Sequence, residues 1–122
     1  MTDRRPHQGL PRNERLRKRS EFLRTQERGG RCSGRYLVVY AFHPPAGSAA
    51  RARLGITASR KVGKAVVRNR VKRWVRESYR RLAAHPAHAA DIVVIAKPSA
   101  ASTTFNVIES ELRRLLASIE DA

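Results

Sequence analysis

The sequence predicts a two-layer α+β domain. Three observations carry this. Two long stretches, 64–83 and 105–119, place apolar residues at helical spacing. Three short stretches, 36–42, 53–58 and 91–96, read as strands. With a short helix ahead of them, the order is α, β, β, α, β, α, and the run from Arg53 to Ala96 predicts a parallel strand pair joined by a helix. At 122 residues the chain suits one domain with a modest core.

Met1 to Asn13 holds Pro6, Gly9 and Pro11 among several charges, so 1–13 is expected to be a flexible basic segment and 14–122 a single domain. The first helix is expected from Ser20, a candidate N-cap, to Glu27, with Gly29-Gly30 as its stop. In Tyr36 to Phe42, the residues Tyr36, Val38, Tyr40 and Phe42 share one face and Leu37, Val39 and Ala41 the other. Both faces are apolar, which predicts an inner strand. Pro44 to Ser48 is a turn. Arg53 to Ala58 is the second strand, and Val62-Gly63 leads into a helix over Lys64 to Ala83, ended by His85-Pro86. Asp91 to Ala96, DIVVIA, reads as a buried central strand closed by Pro98. The last helix, Phe105 to Ile119, carries Phe105, Ile108, Leu112, Leu115 and Ile119 on one stripe.

Charge sets the function class. The net charge is +16 and the pI near 11.6, while hydrophobic content of 41% still supports a folded core. Such a balance points to nucleic acid. A membrane surface is the main competitor, but aromatics are few and neither an eighteen-residue apolar run nor a signal-peptide pattern occurs. No membrane partner and a cytoplasmic location are therefore expected. The single Cys32 excludes an internal disulfide and a Cys-rich zinc site.

Twelve Lys/Arg and one carboxylate, Glu77, lie between Arg51 and Arg81. At ~100° per residue, Val67, Val71, Trp74, Val75, Ser78 and Leu82 gather on one side of the helix. Arg68, Asn69, Lys72, Arg73, Arg76 and Arg80 gather on the next. One face is expected to pack on a sheet while the other stays basic and exposed. Arg73–Glu77 and Glu77–Arg81 are possible i,i+4 pairs of ~0.3 kcal/mol each. One Glu cannot neutralise the helix, so phosphate is the expected counter-charge. The bland alternative is a solvated charged face, but such a face normally mixes both signs. Trp74 either anchors the core or stacks on a base; its position favours the core. Ahead of the helix, Ser59, Arg60, Lys61 and Lys64 surround Gly63, a weak phosphate-site signal at a helix N-terminus.

The polypeptide itself is not expected to be catalytic. A two-metal nuclease needs clustered carboxylates, and only Glu77 lies between Arg28 and Asp91. His7, His43, His85 and His88 fall in or beside predicted loops or at an end, with no third ligand or paired acid. No direct metal site in the protein is expected.

The run LGITASRKVGKAVVRNRVKRWVRESYRR closely resembles the signature of the bacterial ribonuclease P protein subunit, through Leu54–Ala58, Ser59-Arg60-Lys61-Val62-Gly63, Arg68-Asn69-Arg70, Lys72-Arg73 and Arg76-Glu77. Arg15-Leu16, Glu21-Phe22, Tyr40 and DIVVIAKPSA extend the resemblance from about Leu10 to Ile119. It implies a mixed sheet with helices packed on it and a left-handed βαβ crossover, against the usual hand. It implies an accessory subunit that binds a catalytic RNA and helps it remove the 5′ leader of precursor tRNA. The chemistry and the Mg2+ would reside mainly in the RNA. By the same resemblance Ser59, Arg60, Lys61, Arg68, Asn69, Arg70, Lys72, Arg73 and Arg76 are candidate RNA contacts, to which the turn adds Lys64 and the basic helix face adds Arg80. Phe22, Gln26, Tyr36 and Tyr40 are candidate leader contacts, aromatic faces being able to stack on unpaired bases. Phe22 and Tyr40 could equally be core residues, and Gln26 stands where some relatives carry a second aromatic. No obligate protein partner is expected. Two alternatives remain: a ribosomal-type or general RNA-binding protein, and a DNA reader using the Arg68–Arg80 face, although no second helix is predicted to pair with it.

Overall fold

The computed structural model describes residues 15–16, 18–42, 53–82 and 91–121. The expected flexible segment 1–13, the Pro44–Ser48 turn, the His85-Pro86 helix stop and all four histidines lie outside them.

The elements are α1 (Arg19–Arg28), β1 (Gly30–Ser33), β2 (Leu37–Phe42), β3 (Arg53–Thr57), α2 (Ala65–Leu82), β4 (Asp91–Ala96), a 3-10 turn (Pro98–Ser102) and α3 (Phe105–Asp121). They form one mixed sheet in the order β1-β2-β4-β3. β2 pairs antiparallel with β1 and β4, and β3 pairs parallel with β4. The architecture is α+β, as expected, and both apolar-faced strands, β2 and β4, are internal.

Strand alternation gives the sheet two covered faces, with α2 and α3 on one and α1 on the other. Leu37, Val39, Ala41, Leu54, Ile92, Val94 and Ala96 join Val71, Val75 and Tyr79 of α2 and Ile108, Leu112 and Leu115 of α3 in the main core. Each large side chain fully buried there contributes about 1.5–3 kcal/mol. The residues between them face the other way, toward α1, which packs on β2 and β4. Isolated α2 would be a poor helix, with four β-branched valines and dense like charge. Burial of its Val71–Val75–Ser78–Tyr79 stripe holds it in place.

Four expectations need correction. β1 was not foreseen: GRCS is four residues with no apolar alternation, held by its ladder to β2 and by packing against α3. Tyr36 precedes β2 and is not part of it. The N-cap of α1 is Lys18, not Ser20; its N–H donates to the Glu21 carboxylate at 3.3 Å. Trp74 is only half-buried at the margin of the core, and Tyr79 is the aromatic that α2 buries fully.

A carboxylate far along the chain fixes the β1–β2 turn. Glu111 of α3 is buried and accepts the N–H groups of Arg35, Tyr36 and Leu37 at 3.0, 2.7 and 2.7 Å. Gly34 makes room for it, since a Cβ there would meet the Glu111 carboxyl at 2.5 Å.

Candidate nucleic-acid interface

The turn between β3 and α2 is built by its own residues. Ser59 accepts from Lys61 N–H through Oγ at 3.3 Å and from Val62 N–H through its carbonyl at 3.0 Å. Gly63 N–H donates to the Arg60 carbonyl at 3.1 Å. Gly63 has φ +151°, a backbone that side chains rarely adopt, so glycine is required there. Arg68 reaches back from the first turn of α2 and donates Nε–H to the Gly63 carbonyl at 3.1 Å. Arg60, Lys61 and Lys64 are exposed around this turn.

From it α2 presents Asn69 and Arg73 outward, with Lys72 and Arg76 half-buried beside them. Arg73 makes no ion pair with Glu77. That carboxylate is taken by Arg80 and lies 3.9 Å from Arg81, leaving the middle of the face without an ion pair among the described residues. Arg76 shows the consequence. Its pKa is lowered, first by burial and then by the charges of Arg15 and Arg73. A guanidinium stays protonated regardless, so this spot favours an anion.

Arg70 does not join this face. It donates to the Ala101 carbonyl at 3.2 Å and lies over the Trp74 ring, 5.3 Å from its centroid. Its direction is set by Trp74 and the 3-10 turn, which the proximity of Arg68 and Asn69 in sequence does not reveal.

The α1 side of the sheet carries a pocket at its β3 edge. It measures about 160 Å³ and is bounded by Arg15, Leu16, Phe22, the β3 residues Leu54–Ile56, and Lys72 and Arg76. Leu16 N–H donates to the Leu54 carbonyl at 2.9 Å, which lays residues 15–16 along the β3 edge. Phe22 rests on Gly55, where an added Cβ would meet the ring at 2.5 Å. Toward β1 the same face carries Tyr40, paired with Arg31. Tyr40 is half-buried, and its Oη accepts from Arg31 Nε–H at 3.3 Å. Tyr36 packs against the main core about 13 Å further along the strand direction. The four candidate leader residues are thus not one platform: Phe22 lines the β3-edge pocket, Tyr40 the β1 side, Gln26 is half-buried on α1, and Tyr36 stands apart.

A buried network at the end of this face escaped the sequence reading. Asp91 is fully buried. It accepts from Arg53 through both carboxylate oxygens, each at 2.9 Å, and from Arg24 at 3.0 Å. Arg53 also donates to Glu21 at 2.8 Å, and Arg24 lies over the Phe42 ring at 5.0 Å. Strong bonding to Asp91 raises the pKa of Arg53. Only the register, which sets Asp91 opposite both Phe42 and Arg53, makes this cluster visible.

The ribonuclease P family profile matches residues 10–120. The chain belongs to the ribonuclease P protein family. It is 46% identical over 109 residues to the ribonuclease P protein component of Desulfovibrio desulfuricans, covering 88% of this chain and 83% of the relative. The solved ribonuclease P protein of Staphylococcus aureus superposes with a TM-score of 0.78 at 35% identity, covering 85% of this chain and 93% of that one. The Thermotoga maritima ribonuclease P protein gives 0.75 at 36% identity, covering 87% and 97%. The expected family and α+β fold are borne out.

Five acidic side chains of the described residues are already engaged. Glu21, Asp91, Glu77, Glu109 and Glu111 are each engaged by arginines or backbone N–H groups. Among the described residues no three metal-ligating side chains converge. No described helix is long and apolar enough to cross a membrane.

Proposed function

We propose that the outer face of α2, from Arg68 to Arg76 with the Ser59–Lys64 turn, lies against the catalytic RNA of ribonuclease P, and that the α1 side of the sheet takes the 5′ leader of precursor tRNA. Family membership supplies the coarse role: protein component of ribonuclease P, with an RNA partner. The observation that carries the finer reading is the cluster of Arg15, Lys72, Arg73 and Arg76, in which Arg76 is partly buried among like charges with no anionic partner among the described residues. Phosphate oxygens match the planar guanidinium fork, and each one neutralised releases counterions.

In this reading the protein performs no bond cleavage. Magnesium, when bound by RNA phosphates, supplies the activated water and stabilises the leaving oxygen. The protein's own groups offset phosphate repulsion where RNA strands meet. Lys72, Arg73 and Arg76 bring positive charge, the Ser59–Gly63 turn fixes the approach of α2, and Phe22 and Tyr40 offer aromatic faces to unpaired bases.

Cleavage of precursor tRNA by the catalytic RNA at low magnesium, with and without the protein, tests this. The protein is expected to lower the magnesium requirement and raise the cleavage rate. RNA binding with no effect on cleavage would favour a general RNA-binding role instead.

A further inference from the structure

One row of side chains crosses the α1 side of the sheet. Register places Arg31 of β1 opposite Tyr40 of β2, Tyr40 opposite Val93 of β4, and Val93 opposite Gly55 of β3. Val93 is fully buried and Gly55 is covered by Phe22, so the exposed part of this row is its β1 end. That end carries a cation beside a phenol. Arg31 is exposed and has no carboxylate partner among the described residues. One of its five donors meets Tyr40 Oη, and the others have no partner among the described residues.

We propose that Arg31 is a substrate-contacting residue. Its guanidinium binds a backbone phosphate of the single-stranded leader next to the base that packs on Tyr40. This rests on the reading of the α1-side face as the leader surface. The chemistry follows from the pair. Single strands are held by alternating aromatic and cationic groups, one for the base and one for the phosphate that follows. The bond from Arg31 to Tyr40 Oη orients both groups, so the guanidinium is partly ordered before substrate arrives. Because β1 is the outer strand on this side, Arg31 stands where a leader crossing from Tyr40 leaves the protein.

The experiment uses the holoenzyme assembled from the full chain and its catalytic RNA. Dissociation constants are measured for precursor tRNA, with leaders from one to several nucleotides, and for mature tRNA. Arg31→Ala is expected to weaken long-leader precursor about fivefold, as for loss of one exposed charged hydrogen bond. It should leave mature tRNA and the shortest leader unchanged. The precursor-specific salt slope should fall by ~0.7, one phosphate on a single strand. Arg31→Lys should keep part of the binding and most of the slope. Tyr40→Ala, measured alongside, separates the two readings. Arg31→Ala at wild-type affinity, with Tyr40→Ala still losing precursor preference, would overturn the Arg31 contact and leave the leader surface standing. Wild-type ratios in both variants would overturn both. Equal weakening of precursor and mature tRNA by Arg31→Ala would place Arg31 on the tRNA body or the catalytic RNA, and the proposal would fail.

Discussion

At the α1 end of the sheet, Arg53 and Arg24 converge on Asp91, and Glu21 takes the remaining arm of Arg53. On the outer face of α2, Arg73 and Arg76 have Lys72 and Arg15 for neighbours and, among the described residues, no paired carboxylate. The pKa shifts of the two clusters have opposite signs. That of Arg53 is raised, first by its hydrogen bonds to Asp91, although burial works against it. That of Arg76 is lowered, first by burial. The same residue type closes the fold in one place and leaves a site for an external anion in the other. The first cluster has its counter-charge inside the chain, so its loss should register in stability. The second has none among the described residues, so its loss should register in RNA binding.

The sharpest way to break this contrast is Asp91→Asn. Asp91 is buried while the Arg24 and Arg53 side chains keep 42% and 27% exposure, so solvent softens the cost of stranding them. Removing one partner of a buried pair costs 3–5 kcal/mol, and here about 3 kcal/mol is expected after that discount. Urea unfolding should show it as a lowered midpoint with an unchanged slope. A midpoint equal to wild type would mean that the network contributes little and that the two clusters do not differ in kind.

Legibility from sequence followed the same division between local and distant causes. The bounds of β4 were readable to the residue because DIVVIA is a continuous apolar run, and α2 and α3 were readable because periodicity needs only neighbours. The basic face of α2 was also visible as wheel positions. Asp91 with Arg53, and Glu111 with the Arg35–Leu37 N–H groups, were not visible, being joined across 38 and up to 76 positions of chain. β1 was missed because its cause is the ladder to β2. Of the two pairs expected of Glu77, the one with Arg81 forms at 3.9 Å, while the one with Arg73 does not, because Arg80 at i+3 takes the carboxylate.

Arg76→Ala probes the other cluster and carries the next largest effect. Affinity for the catalytic RNA should fall about tenfold, 1.4 kcal/mol, and the salt slope by ~0.9 if the contact is to a duplex phosphate. Stability should stay within ~0.5 kcal/mol, since the lost packing of the Arg76 stem is offset by relief of repulsion from Arg15 and Arg73. Filter binding over a salt series, with a parallel thermal melt, measures both. A destabilised variant with unchanged RNA affinity would invert the assignment of the two clusters.

Glu77→Gln gives the smallest expected effect and the finest test of where neutralisation ends. Glu77 is the one carboxylate in α2, yet it serves Arg80 and Arg81 at the C-terminal turn and not Arg73 or Arg76. Its pairs are partly exposed, so the change should cost no more than ~0.5 kcal/mol of stability. The uncharged amide leaves Arg80 and Arg81 free, although Arg81 keeps Glu109 at 3.1 Å. RNA affinity should therefore stay level or rise slightly, by less than about threefold, with the gain disappearing at high salt. A tenfold gain would mean that the charge of Glu77 reaches the Arg73–Arg76 region and holds it partly neutral. The division of the molecule into a neutralised and an open arginine cluster would then have to be redrawn along α2 itself.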